Sequence, residues 1–161
     1  MRKSIVVITA VLLLCSVAIG QQPRKPAQAE AKDMEDSLRQ TMRQVWDAWE
    51  TLKAENAAKF YSQDPKDVFF DIAPLKNQGW NEYVQHVAPM LTTFKSMKSR
   101  FNDDLQVHLK GDLGWTTTTI HADVVGSDGR AQAMEIRWTA IWQRKAQKWL
   151  IVHEHVSVPS Q

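Results

Sequence analysis

Three ionisable residues of this chain are placed where side chains could do chemistry. Glu154 stands between His153 and His155 in the run from Trp149 to Pro159, WLIVHEHVSVP. Asp71 follows the apolar run Val68-Phe69-Phe70, and His121 closes the run from Trp115 through four threonines and Ile120. The C-terminal run alternates like a β-strand, whose successive side chains point to opposite faces. Glu154 therefore shares a face with Leu150, Val152, Val156 and Val158, while His153 and His155 share the other. A carboxylate on a core-facing strand is costly unless it is paired or meets a cavity. Desolvation would raise its pKa into the range useful for acid–base work. The alternatives are that Glu154 is solvated near the open end of the sheet or pairs with a helix Lys or Arg.

The two histidines are i, i+2 neighbours and could in principle offer two metal ligands. No carboxylate or third histidine is evident beside them, and a hairpin register that sets Arg137 opposite His155 would put a fixed positive charge there. No metal and no cofactor are expected. Arg137, His153 and His155 read instead as an outer surface, bonding to Thr139, Ser157 and Glu135 and meeting a second subunit.

These residues need elements to position them. Met34, Leu38, Met42, Val45, Trp49 and Leu52 recur at spacings of four and three, which predicts one stripe of a helix from about Glu30, with Trp46 beside it. Asn56–Tyr61 reads as a short second helix stopped before Pro65, and Val68–Phe70 as a short strand. Trp80, Tyr83, Val84, Val87, Leu91 and Phe94 predict another helix, kinked or broken at Pro89. The period then falls to two, with strands expected around 101–109, 115–124, 131–144 and 148–158. Helices followed by an antiparallel meander make an α+β domain with helices packed on one face of a sheet.

The hairpins sort the faces. Pairing Val125 with Arg130 and Arg144 with Lys148 sets Trp115, Thr117, Thr119 and His121 on one face with Trp138, Trp142 and Glu154. Trp138 would lie opposite Glu154. This face is the more apolar and should cover the helices.

The N-terminus reads as a signal peptide. Arg2 and Lys3 precede the apolar stretch Ile5–Val17, and Ala18-Ile19-Gly20 suits cleavage before Gln21. A lipoprotein signal at Cys15 would need a small residue where Leu14 stands. The expected organisation is a signal peptide over 1–20, a tether over 21–32 and a domain over 33–159, in a secreted or periplasmic protein. Cleavage would remove the single cysteine, and with it any disulfide or thiol nucleophile. The whole chain holds 20 basic and 18 acidic side chains; without Arg2 and Lys3 the balance is 18 against 18. Such a neutral chain argues against nucleic acid or an anionic membrane as partner.

The run RWTAIWQRKAQKWLIVHEHVSVP, from Arg137 to Pro159, resembles the final hairpin of SnoaL-like domains in the nuclear transport factor 2-like superfamily. So does DVFFDIAP, from Asp67 to Pro74, followed by Gly79 and an aromatic-rich helix. The resemblance spans Asp33 to Pro159. It implies a cone-shaped domain in which helices and a strongly curved sheet enclose a pocket, commonly in a dimer joined through the sheet. The superfamily includes ketosteroid isomerase, polyketide cyclases, dehydratases and a kinase association domain, so the fold alone does not name a chemistry. By this resemblance Asp71 matches the isomerase's general base. The isomerase's tyrosine falls near Trp46 or Asp47 and its protonated aspartate on Thr139 or Ala140, so the oxyanion donors differ. Against the kinase domain, His121 falls where a pocket arginine stands, and two further arginines fall on Ala140 and Val156.

Two classes of function follow. One is a small-molecule enzyme or binder whose pocket is walled by Trp46, Trp49, Tyr83, Trp115, Trp138 and Trp142. In it Asp71 or Glu154 would remove a proton α to a carbonyl, with His121 as acid or donor. The other is a non-catalytic dimeric module that binds a small apolar ligand or associates with a partner. Each tryptophan also has the plain alternative of being core, and Asp71 that of capping the turn before Pro74.

Overall fold

The computed structural model describes residues 27–160. The expected signal peptide and the first part of the tether lie outside the described residues. The first helix, α1, runs over Ala27–Trp49, so the end of that tether is helical. Ala27, Ala29, Glu30, Ala31 and Lys32 are strong helix formers, which accounts for the longer helix. The expected stripe is its buried side: Leu38, Met42, Val45 and Trp49 are all in the core. Its outer side carries i, i+4 ion pairs, Lys32–Asp36 at 2.8 Å, Glu35–Arg39 at 2.7 Å and Arg43–Asp47 at 2.9 Å.

After a turn through Leu52 come α2 (Ala54–Ala57) and a 3-10 turn (Ala58–Phe60) that delivers Tyr61. Strand β1 (Val68–Phe70) and strand β2 (Asn77–Gln78) lead into α3 (Gly79–Leu91). Gly79 has φ +71° and packs so tightly that a Cβ would sit 3.2 Å from Pro65 Cα, so only glycine fits there. Pro89 falls in the last turn of α3, and the helix ends two residues later instead of reaching Phe94.

Phe94 instead opens β3 (Phe94–Phe101), and β4 spans Gln106–Lys110. The single strand expected over 101–109 is therefore two strands with a turn at 102–105. Three long strands complete the sheet: β5 (Leu113–Gly126), β6 (Ala131–Lys145) and β7 (Lys148–Ser157). The order is β2-β1-β7-β6-β5-β3, with β4 also paired to β5. The sheet is antiparallel except where β1 runs parallel beside β7. This is the expected α+β class, with a mixed sheet in place of a pure meander.

The register differs from expectation at both hairpins. Val125 pairs with Ala131, not Arg130, so β5 is shifted by one residue against β6. A one-residue slip turns every side chain to the other face. Thr116, Thr118, Ile120, Ala122 and Val124 therefore point inward, and Trp115, Thr117, Thr119 and His121 point outward. At the second hairpin Lys145 pairs with Lys148, and Ala146 and Gln147 both take left-handed backbone in a two-residue turn. A β-bulge at Val152 then adds one residue between the pairs Trp142–Ile151 and Ile141–His153. Trp149 and Ile151 are buried, although alternation sends them outward; beyond the bulge Glu154 faces inward as expected.

Candidate functional site

Glu154 reaches the inner face because the bulge resets the alternation of β7. Its partner across β6 is Ala140, whose methyl leaves room above it; Trp138 pairs with Val156 and reaches Glu154 diagonally. Arg137 accordingly pairs with Ser157, and His155 with Thr139. On the other side, β1 sets Phe69 beside Glu154 and carries the chain on to Asp71. The parallel pairing of β1 with β7 is thus what brings the two carboxyls into one cavity.

Glu154 is 1 % exposed, and both its oxygens are engaged. Trp138 Nε1 donates to Oε2 at 2.9 Å. Tyr61 Oη donates to Oε1 at 2.9 Å. An indole N–H can only donate, so the bond from Trp49 Nε1 to Tyr61 Oη, 3.0 Å, fixes the direction of the chain and leaves the Tyr61 proton for Glu154. Asp71 is held in the same manner: Tyr83 Oη donates to Oδ2 at 2.9 Å, and its own neighbour's Ile72 N–H donates to Oδ1 at 2.6 Å.

Burial raises the Glu154 carboxyl to about 7, and the charge of Asp71 adds to the rise, while the Trp138 donor, the nearby Tyr83 hydroxyl and the Tyr61 donor hold it down. Burial also raises Asp71, against the Ile72 and Tyr83 donors. Tyr61 and Tyr83 are pushed well above the usual phenol value, first by burial and then by the carboxylates, and stay protonated.

The cavity around these groups is about 90 Å³ and opens past Ile72, which is 45 % exposed, and Met90. Trp46, Trp49, Tyr83 and Trp138 line it, as do Asp71 and Glu154. Tyr61 was not singled out from the sequence, although it donates directly to Glu154. Its signal there was weak: one tyrosine at the end of a four-residue helix and a 3-10 turn. Among the described lining residues there is no Lys, Arg or His, and Trp46 Nε1 has no hydrogen-bond partner.

Three expected site residues lie elsewhere. His121, carried outward by the register of β5, is gripped by Glu135 at 2.6 Å and Asp123 at 3.2 Å, which raise its pKa in that order. Trp115 is 45 % exposed on the outer face and stacks on His108 with centroids 4.8 Å apart. Trp142 is core: its Nε1 donates to Thr116 Oγ1 at 3.0 Å, and it does not line the cavity. On the outer face, His153 Nδ1 meets the Val68 carbonyl at 2.7 Å, and His153 and His155 flank the Phe70 ring edge-to-face. Among the described residues no group of three His, Cys, Asp or Glu side chains is placed to hold a metal ion.

Residues 38–161 match the SnoaL-like domain. The chain belongs to this family. Solved structures agree on the fold. A nuclear transport factor 2-like superfamily protein from Salmonella enterica serovar Typhimurium superposes with a TM-score of 0.73 at 17% identity, covering 81% of this chain and 94% of its own. A candidate dehydratase of the same superfamily from Streptomyces avermitilis gives 0.72 at 13% identity, with 81% and 99% covered. A candidate scytalone dehydratase from Novosphingobium aromaticivorans gives 0.72 at 8% identity, with 84% and 89% covered. No curated protein matches the sequence. The SnoaL-like assignment thus establishes the scaffold.

Proposed function

We propose that this SnoaL-like domain is an acid–base enzyme acting on a small apolar carbonyl compound, with Glu154 as the acid and Asp71 as the base. The observation that carries this reading is two carboxyls in one apolar cavity, each held by its own donors and differing in how deeply it is enclosed. Burial raises both carboxyls; Glu154, fully enclosed, rises to about 7, and the less enclosed Asp71, with a backbone N–H and a phenol donating to it, is assigned as the base. Environments that push paired pKa values apart assign the acid and the base. The Asp71 carboxylate removes a proton α to the carbonyl, and the Glu154 carboxylic acid donates to the carbonyl oxygen as the enol forms. Return of a proton at another carbon isomerises the substrate; loss of a β-hydroxyl as water dehydrates it. The unpartnered Trp46 N–H is a further donor for a ligand oxygen.

The cavity is smaller than the roughly 150 Å³ that holds a benzene ring, so the ligand is small and its entry displaces wall side chains. Met90, Met97 and Met134 are flexible thioethers suited to that. Two candidate dehydratases sharing the fold are consistent with this class. The reading includes action outside the cytoplasm after cleavage at Gly20, and pairing of two copies through the outer sheet face, where Leu113, Trp115 and Ile141 are exposed.

Thermal-shift screening of the mature chain against apolar ketones and β-hydroxy ketones identifies a ligand, because binding stabilises the native state in proportion to ln(1 + [L]/Kd). With that compound, Asp71→Asn and Glu154→Gln should each lower turnover at least a hundredfold, and wild-type turnover should decline above pH 7. Folded variants that both turn over at the wild-type rate would remove the acid–base assignment.

A further inference from the structure

The cavity buries two carboxyls, yet among the described residues neither has a cationic partner, and its lining contains no basic side chain. Isolated buried carboxylates normally find a counter-charge or stay neutral. Here the remaining walls are aromatic: Trp46 and Trp138 meet with centroids 5.7 Å apart, and Trp49 lies 6.0 Å from Tyr83 and 5.9 Å from Tyr61. The donors are already committed. Trp49 gives its N–H to Tyr61, Tyr61 and Trp138 give theirs to Glu154, and Tyr83 gives its to Asp71. An anion entering the cavity would find the Trp46 N–H and little else. A quaternary ammonium needs no donor, and it is drawn to carboxylates and to aromatic faces alike.

We propose that this cavity binds a small organic cation, an alkyl- or quaternary ammonium, with Asp71 and Glu154 as its counter-charges and Trp46, Trp49, Trp138 and Tyr83 as its walls. The inference goes beyond the acid–base reading, because it needs the charge of the carboxyls and not their proton transfer. The titratable groups facing Glu154 are Asp71 from the segment after β1, Tyr61 from the 3-10 turn and Tyr83 from α3; α1, β3, β5 and β6 contribute only apolar or indole side chains to the lining. Both tyrosines stay neutral near pH 7, so the carboxyls alone set the pH dependence.

Choline and its uncharged carbon isostere 3,3-dimethyl-1-butanol separate charge from shape. Isothermal titration of wild-type protein should show choline binding at least tenfold tighter than the alcohol at pH 8. That preference should shrink at pH 6, where Glu154 is protonated, and choline binding near pH 7 should release protons. Asp71→Asn and Glu154→Gln should each cut the choline preference at pH 8 without weakening the alcohol. Equal affinities for the two probes, or no binding of choline, overturn the inference. Neither outcome touches the acid–base reading, which stands or falls on turnover of a carbonyl compound by the same two variants.

Discussion

Replacing Glu154 with glutamine tests whether its carboxyl is truly cut off from water. A carboxyl carried from 4.5 in the unfolded chain to about 7 in the fold makes stability pH-dependent, at about 1.4 kcal/mol for each pH unit of displacement. The sign follows from proton counts. Below 4.5 both states hold the proton, and the folded-state advantage is complete. Between 4.5 and about 7 the unfolded chain loses its proton first, so stability falls as pH rises. Above about 7 both are ionised, and about 3 kcal/mol has been lost. Glutamine does not titrate, but it offers one acceptor oxygen where Trp138 and Tyr61 both donate. One donor is stranded at a pH-independent cost of about 1–3 kcal/mol. Urea unfolding of both proteins from pH 4 to 8.5 should therefore show the variant less stable in acid, with the gap closing by about 3 kcal/mol by pH 8. A difference that stays flat across this range would mean that Glu154 titrates alike in the folded and unfolded chain, and the argument from burial would fail.

Two further outcomes follow from single contacts. Trp138→Phe removes a donor that favours the ionised form, so the Glu154 carboxyl should move above about 7, read by carbon NMR of the labelled carboxyl. The stability lost should be greater at pH 8, where a hydrogen bond to charge is worth about 1.5–3 kcal/mol, than at pH 5. His121→Ala, on the outer face, should leave ligand affinity in the cavity within twofold of wild type by calorimetry; a larger loss would restore His121 to the site.

Much of the scaffold was legible because it rests on periodicity. The α1 stripe from Leu38 to Trp49 and the alternation of the long strands follow from which faces must be buried. The site was harder to read, because face assignment depends on counting residues in turns. Taking Arg130 instead of Ala131 as the partner of Val125 sent His121 inward. The strand carried its own corrective: Ile120, Ala122 and Val124 are more apolar than Thr119, His121 and Asp123, and that difference should outrank a guessed turn. Glu154 was placed on the correct face for a partly wrong reason, since the tighter turn at Ala146-Gln147 and the bulge at Val152 shift the register without changing its parity there. The neighbourhood of Glu154 with Asp71 depends on a parallel pairing across more than eighty residues, which no local pattern encodes.

The bulge at Val152 divides the last strand into two reading frames. From Trp149 to Ile151 the frame serves the hydrophobic interior; from Glu154 onward it serves the cavity floor. Were Val152 paired in step with its neighbours instead of bulged, no single phase could hide Trp149 and Ile151 while also presenting Glu154. One surplus residue thus lets the stabilising half of the strand and its chemical half vary separately. A lineage could exchange the glutamate for another group without disturbing the packing that makes the domain fold.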